Sequence, residues 1–169
     1  MTAGPKQASH RDHDPRLEAA QKRLRESAGQ ADAIEAIREI VTNLLGCEEI
    51  GLFIVAPGTD KPNGQLLWSF GIDPQRHGTL DALEEPALHR VLQGELHVAQ
   101  TARKEHAKGN PPLRAFIPIR LHGRTVAVLV MLKLLPQKLG LDQADINLVK
   151  LISNEAGKPL FEGSAKANA

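Results

Sequence analysis

The stretch RAFIPIRLHGRTVAVLVMLKLLPQKLGLDQADINLVKLISNEAGKPL (residues 114–160) reads as strand, tight turn, strand and closing helix. Residues 115–121 are apolar apart from Arg120, with a proline at 118, and His122-Gly123 fits a hairpin turn. Residues 126–132 are then apolar without a break. A sheet with one wet face would alternate. An unbroken run marks a strand covered on both faces, hence a central one. Each face of this sheet therefore needs a packing layer from elsewhere in the chain.

The closing helix supplies one. Asp142 stands at the N-cap position and Asp145 in the first turn, where the helix dipole favours a carboxylate. Ile146, Leu148, Val149, Leu151, Ile152, Ala156 and Leu160 span an arc of roughly 220°, against the ~100° stripe that covers one core. Part of that arc closes on the sheet, and the remainder predicts a second partner. Residues 15–45 are helical too. Leu17, Ala20, Leu24, Ser27, Ala31 and Ile34 step by three and four, a thin seam of coiled-coil type. This first half is either a solvated helix or a seam between two copies. Gly29 predicts a break over residues 27–30. Beyond it Ala33, Ile34, Ala36, Ile37, Ile40, Val41, Leu44 and Leu45 cover roughly 180°, again wider than a core stripe. Gly46 ends the helix.

Between these helical ends, residues 50–55 and 65–70 read as a hairpin around the turn-forming PGTDKPN (57–63). Residues 83–93 read as a short helix ended by Gly94, and 96–99 as a short strand. Residues 100–113 form a long, basic, structureless connection, of the length at which lids, binding loops or disorder occur. The division is a disordered tail (1–14), a helical extension (15–30), a domain (31–162) and a second tail (163–169).

Composition removes several function classes. Lys and Arg total 21 against 20 Asp and Glu, so nothing draws the chain to nucleic acid or to an anionic membrane. Four Phe, one Trp and no Tyr argue against a base-stacking platform. No run approaches the ~18 apolar residues of a membrane span, and MTAGPKQASH lacks a signal-peptide pattern. A soluble, cytoplasmic protein is expected. His10 and His13 beside Asp12 and Asp14 would have to order a tail to chelate a metal, so no metal site is assigned. Cys47 lacks a second cysteine, a neighbouring cation and a helix N-terminus. It reads as a small buried hydrophobe, not a nucleophile.

The chain resembles a GAF domain, a sensory module related in architecture to PAS domains, over about residues 31–162. The resemblance rests on the amphipathic helix running into IGLFIV (50–55) and on ALHRVLQGELHVAQ (87–100). It rests most firmly on AFIPIRLHGRTVAVLVML (115–132) followed by LDQADINLVKLISNEAG (141–157). It implies an α/β (α+β) fold with a central antiparallel sheet of five or six strands in the order 2-1-5-4-3. The N- and C-terminal helices pack on one face, where many members dimerise. A short helix and loops roof the other, which holds a ligand pocket in some members.

Several subtypes can be tested on residues. Cyclic-nucleotide-binding members carry an Asn, Lys and acidic constellation near the lid; here Gly109-Asn110-Pro111 has no acidic partners. Bilin-binding members need a cysteine near the pocket helix, and Cys47 is at the other end. Free methionine sulfoxide reductases work through several cysteines, and one thiol cannot close an intramolecular disulfide. For haem, His89 reads as helix surface, His106 lies in the lid, and His97 faces away from Leu96 and Val98. What remains is a candidate pocket walled by Phe53, Trp68, Phe70 and Phe116 with His97 and Arg120 as polar anchors, or the same residues as plain core. Arg103, Lys104, His106, Lys108 and Arg114 form a basic lid that either attracts an anion or is simply solvated.

The expectation is a non-enzymatic signalling module with no catalytic residue, no metal and no cofactor, and with room for an unidentified small-molecule ligand. The chain shows no output domain, so it would act on a separate signalling or effector protein. It would homodimerise through Ile34, Ile37, Val41, Ile146, Val149 and Ile152. A reductase relative and a ligand-free scaffold are the alternatives.

Overall fold

The computed structural model describes residues 14–57, 61, 63–100, 112–138 and 140–162. Its centre is an antiparallel sheet of β1 (Cys47–Ile54), β2 (Gln65–Phe70), β3 (His97–Gln100), β4 (Pro112–Leu121) and β5 (Arg124–Leu134). The strand order is β2-β1-β5-β4-β3, as the resemblance implies. β5 is the middle strand, and residues 127–131 are buried on both faces, which is why that run is apolar without alternation. His122 and Gly123 join β4 to β5 with φ of 52° and 77°. Two positive φ values match the right-handed strand twist, and the glycine adopts its value without a Cβ clash.

In chain order the helices are α1 (Pro15–Arg25), α2 (Gln30–Glu39), α3 (Leu88–Leu92), α4 (Gln143–Glu155) and α5 (Gly157–Phe161). Asp14 caps α1 by accepting from the Arg16 N–H, and a proline opens the helix where its missing N–H does no harm. Gly29, with φ of 116°, makes the expected break before α2. α2 runs into a π-helical turn, Ile40–Leu44, and Gly46 follows it with φ of 70°. Asp142 and Asp145 form a reciprocal capping box that starts α4. The single closing helix read from sequence is interrupted at Ala156, and α5 continues from there.

Two apolar layers clothe the sheet. On one side Ile50, Leu52, Ile117, Ala127, Leu129 and Met131 meet the long helices; on the other Phe53, Phe116, Val128 and Val130 meet α3 and a 3₁₀ turn, Leu80–Leu83. The surplus apolar arc of α4 is covered by α1 of the same chain. Ala20 and Leu24 are buried in the shared core, and Leu24 is 0% exposed. Burying one leucine contributes about 1.5–3 kcal/mol. Residues 15–25 therefore complete the core instead of extending from a unit that begins at 31.

Candidate functional site

The residues read as a pocket lie on opposite faces of the sheet. Phe53 and Phe116 are fully buried beneath α3. Trp68 is paired across the strands with Leu52, and Phe70 with Ile50, both of which belong to the helix side. A register shift between Leu52 and Phe53 inserts an extra residue in β2 and resets the alternation there. Phe53 and Trp68 thus cannot wall one cavity. Phe70, at the end of an edge strand, is 46% exposed.

Arg120 is a bracket. Its guanidinium donates to the carbonyls of Gln93 (3.2 Å) and Gly123 (2.6 Å) and to Thr125 Oγ1 (3.2 Å). This ties the β4–β5 turn to the end of α3. A Cβ at Gly94 would lie 1.9 Å from a guanidinium nitrogen, so the bracket needs that glycine. Its partners are two carbonyls and a hydroxyl, all neutral, and no carboxylate faces it among the described contacts.

His97 sits in a cluster that sequence reasoning missed. Its Nε2 lies 3.6 Å from Glu85 Oε2, while Arg114 Nε donates to Glu85 Oε1 at 2.8 Å. Arg114 also donates to the Leu83 carbonyl at 2.8 Å and lies over the Phe116 ring at 5.4 Å. The Ala87 N–H donates to Glu85 at 3.3 Å. Burial pushes the Glu85 carboxyl up, but the Arg114 hydrogen bond, the Ala87 N–H and the adjoining charges outweigh it and hold the group below the usual range. The cluster fastens the segment before α3 to β3 and β4. A cavity of about 100 Å³ lies beside it, lined by Ala87, Arg90, Val91, Glu95, Leu96 and His97. No periodic pattern marks Glu85; its only signal is an acid just ahead of a helix.

The larger concavities lie on the helix side. A groove of about 660 Å³ runs between the end of α1, the β4–β5 turn and the α4–α5 junction, over Leu24, Leu121 and Pro159 with Arg25, His122 and Lys158 at its rim. A second, of about 570 Å³, lies between the π-helical turn and the end of β2. Cys47 is 2% exposed and donates to the Glu49 carbonyl at 3.4 Å. Burial pushes its thiol up to about 11, which leaves almost no thiolate at neutral pH.

The residues read as a dimer surface are mostly interior. Ile37, Val41, Val149 and Ile152 are 0% exposed within the chain's own core, because α1, α4 and the sheet enclose them. Ile34 and Ile146 are half-buried at its margin. His89 is exposed, with Nδ1 3.1 Å from the Pro86 carbonyl. Arg103, Lys104, His106, Lys108 and Gly109-Asn110-Pro111 lie outside the described residues, as do His10, Asp12 and His13. Among the described residues no three metal-ligating side chains converge, and no helix is long and apolar enough to cross a membrane.

No protein-family model matches the chain, and no curated protein matches it in sequence. Solved structures do match in fold. The GAF domain from Acinetobacter phosphoenolpyruvate-protein phosphotransferase superposes with a TM-score of 0.64 at 16% identity, over 91% of this chain and 96% of that one. A GAF domain/HD domain protein from Geobacter sulfurreducens gives 0.57 at 11% identity, over 86% and 98%. The type II free methionine-R-sulfoxide reductase from Thermoplasma acidophilum gives 0.55 at 12% identity, over 88% and 96%. With its sheet in the order β2-β1-β5-β4-β3, a layer on each face and these superpositions over most of its length, the chain is a GAF-fold domain.

Proposed function

We propose that this chain is a regulatory GAF-fold module that acts by protein–protein contact, as a homodimer and toward a separate signalling or effector protein, without chemistry of its own. The observation that carries this reading is the state of its single thiol. Cys47 is enclosed in the core, its ionisation is driven to about pH 11, and the chain has no second cysteine to resolve a sulfenic acid. The packing beneath α3 supports it too, since Phe53, Phe116, Val128 and Val130 fill the space where the candidate pocket was expected. Fold neighbours named as parts of a phosphotransferase and of a methyl-accepting chemotaxis protein point the same way, whereas the reductase neighbour points to the alternative. The reading takes the cytoplasm as compartment and needs no resident cofactor.

A small-molecule sensor is the second reading, favoured by the groove of about 660 Å³ at the α4–α5 junction. One pair of measurements separates the readings. Purified protein given free methionine sulfoxide and a dithiol reductant should show no turnover, and Cys47→Ala should be indistinguishable from it. Turnover that disappears in Cys47→Ala overturns the proposal. Native mass spectrometry of the purified protein should give the bare chain mass or its dimer, and a stoichiometric added mass would move the reading to a sensor.

A further inference from the structure

The heptad spacing of the N-terminal segment runs on past the end of its helix. Leu17, Ala20, Leu24, Ser27, Ala31 and Ile34 keep steps of three and four in one unbroken phase. Such a phase aligns side chains only along a continuous helix, yet the chain breaks between Arg25 and Gln30 and folds α1 back on α4. The break divides the stripe. Ala20 and Leu24 are buried in the core, whereas Ser27 and Ile34 are half-buried and Ala31 is exposed. It also leaves α2 with Gly29 at its N-cap and no side-chain oxygen there to bond its first turn. The broken stretch itself does not resist a helix. Residues 26–30 (ESAGQ) hold no proline and no β-branched side chain, and Gly29 alone is a poor helix former.

We propose that α1 is exchanged between two copies of this chain: residues 26–29 straighten into the helix, and each copy's α1 lies on the other's α4. The α4 face accepts an α1, since it already holds one, and a second copy brings the same helix. Every tie of α1 to the rest of the chain passes unchanged from within one copy to between two. Arg16 still meets Asp145, Gln21 and Arg25 meet Glu155, and Arg23 meets Asp32 and Glu39. Ala20 and Leu24 enter the same apolar seam. What differs is confined to the hinge. The Ala28 N–H leaves the Asp32 carboxylate, 2.9 Å away, for the Leu24 carbonyl one helical turn back. The first N–H groups of α2 gain the carbonyls of residues 26–28. Straightened, residues 15–29 reach about 22 Å beyond α2 at ~1.5 Å per residue. The two hinges then pass each other near the two-fold axis, where Ser27 and Ala31 are small enough for close approach and Ile34 adds an apolar contact. The second half of the stripe thereby gains the partner it lacks in a single copy. Exchange of an identical element is a low-cost route to a dimer, because the complementary surfaces already exist. The inference rests on the homodimer of the preceding proposal and assigns its contact.

Gln21 Nε2 lies 2.7 Å from Glu155 Oε2, so thiols at these two positions face each other across the α1–α4 contact. The full chain carrying Gln21→Cys, Glu155→Cys and Cys47→Ala is separated into monomer and dimer by size exclusion and then treated with a short bismaleimide. Denaturing gels of the dimer fraction should show covalently joined pairs, and of the monomer fraction single chains linked internally. Gly29→Ala replaces a residue held at φ of 116° by a good helix former, and sedimentation velocity should show the equilibrium moved toward dimer by roughly 100-fold or more. Two glycines inserted after Ala28 lengthen the hinge and should move it back toward monomer. A dimer whose links all lie within single chains overturns the exchange and leaves a homodimer of another kind. A wild-type chain that stays monomeric at every concentration overturns the exchange and the homodimer together. If Gly29→Ala does not fold by far-UV circular dichroism, the pattern of links in the dimer fraction decides alone. The non-enzymatic reading stands or falls separately, on the turnover assay.

Discussion

The guanidinium of Arg16, in the first turn of α1, lies 3.4 Å from the carboxylate of Asp145, the N3 residue of α4, whose side chain is 1% exposed. Lys138 Nζ holds the other Asp145 oxygen at 2.9 Å. At the far end of the same two helices, Gln21 and Arg25 hold Glu155 at 2.7 and 2.9 Å. Arg16 and Arg25 are about 14 Å apart along a helix, and Asp145 and Glu155 about 15 Å, at ~1.5 Å per residue. The helices therefore run parallel, in register, with an ionic tie at each end of an apolar seam. Asp145 does two jobs, since it is also half of the capping box.

Removing Asp145 should accordingly cost more than removing the arginine that meets it. Asp145→Ala keeps the Asp142 cap but removes the return bond of the box, from the Asp142 N–H, and leaves Lys138 without its closest carboxylate, and should destabilise by about 2–4 kcal/mol. Arg16 is 36% exposed, so solvent screening limits Arg16→Ala to about 1 kcal/mol or less. Urea unfolding followed by circular dichroism measures both. Equal losses would mean that Asp145 acts only as the anchor for α1.

Glu85 predicts a specific acid sensitivity. Its folded-state carboxyl lies below the ordinary value of 4.5, with Arg114 and the Ala87 N–H overcoming the effect of burial. A depressed carboxyl contributes stability above its unfolded value, and that contribution is lost as pH falls through the lower folded value. Glu85→Gln should thus be less stable than wild type at neutral pH, with the two stability curves converging below about pH 4. Urea midpoints across that range test it. Parallel curves would show that the Arg114 contact adds nothing that titrates.

Much of the architecture was legible because burial writes itself into residue type. The unbroken run at 126–132 has no polar residue because both faces of β5 are covered. Likewise the acid at 142 caps α4, and the glycines at 29 and 46 bend the chain where their positive φ is required. The partner of α4 was not legible. An arc of apolar residues states how much surface is covered, not by what, and α1 satisfies it from over a hundred residues away in the same chain. The candidate pocket failed for a related reason. Alternation tells which residues of one strand share a face, but relating Phe53 to Trp68 requires the register between strands, and a bulge shifts it. The Glu85–Arg114 pair spans 29 residues and carries no periodic signature at all.

Cys47 should behave as a hidden group. Burial raises its ionisation to about 11 and leaves it 2% exposed. Alkylation by iodoacetamide at mildly alkaline pH should therefore follow the unfolding equilibrium, being slow in buffer and rapid in denaturant. Cys47→Ala should cost about 1 kcal/mol, the effect of a small cavity. Rapid alkylation of the native protein would contradict the enclosed thiol on which the non-enzymatic reading depends.

Two glycines near the β4–β5 turn separate steric need from conformational need. Gly157 opens α5 with helical geometry, a place where alanine ordinarily improves a helix by up to about 1 kcal/mol. Here a Cβ would lie 2.5 Å from the Arg120 carbonyl oxygen, a backbone atom that cannot rotate away. Gly157→Ala should reverse the usual sign and destabilise by about 1–3 kcal/mol. Gly123 has open space around it, with nothing within 4 Å of its would-be Cβ, but holds φ of +77°. Gly123→Ala should cost about 1–2 kcal/mol through the left-handed backbone alone. Hydrogen exchange distinguishes the two causes. Gly157→Ala pushes α5 off the sheet and should deprotect amides of α5 and of β4 around residues 119–121, while Gly123→Ala should affect only the turn and the first pairs of the hairpin. If both variants gave the same exchange pattern, the close approach of α5 to β4 would not be what places the C-terminal helix.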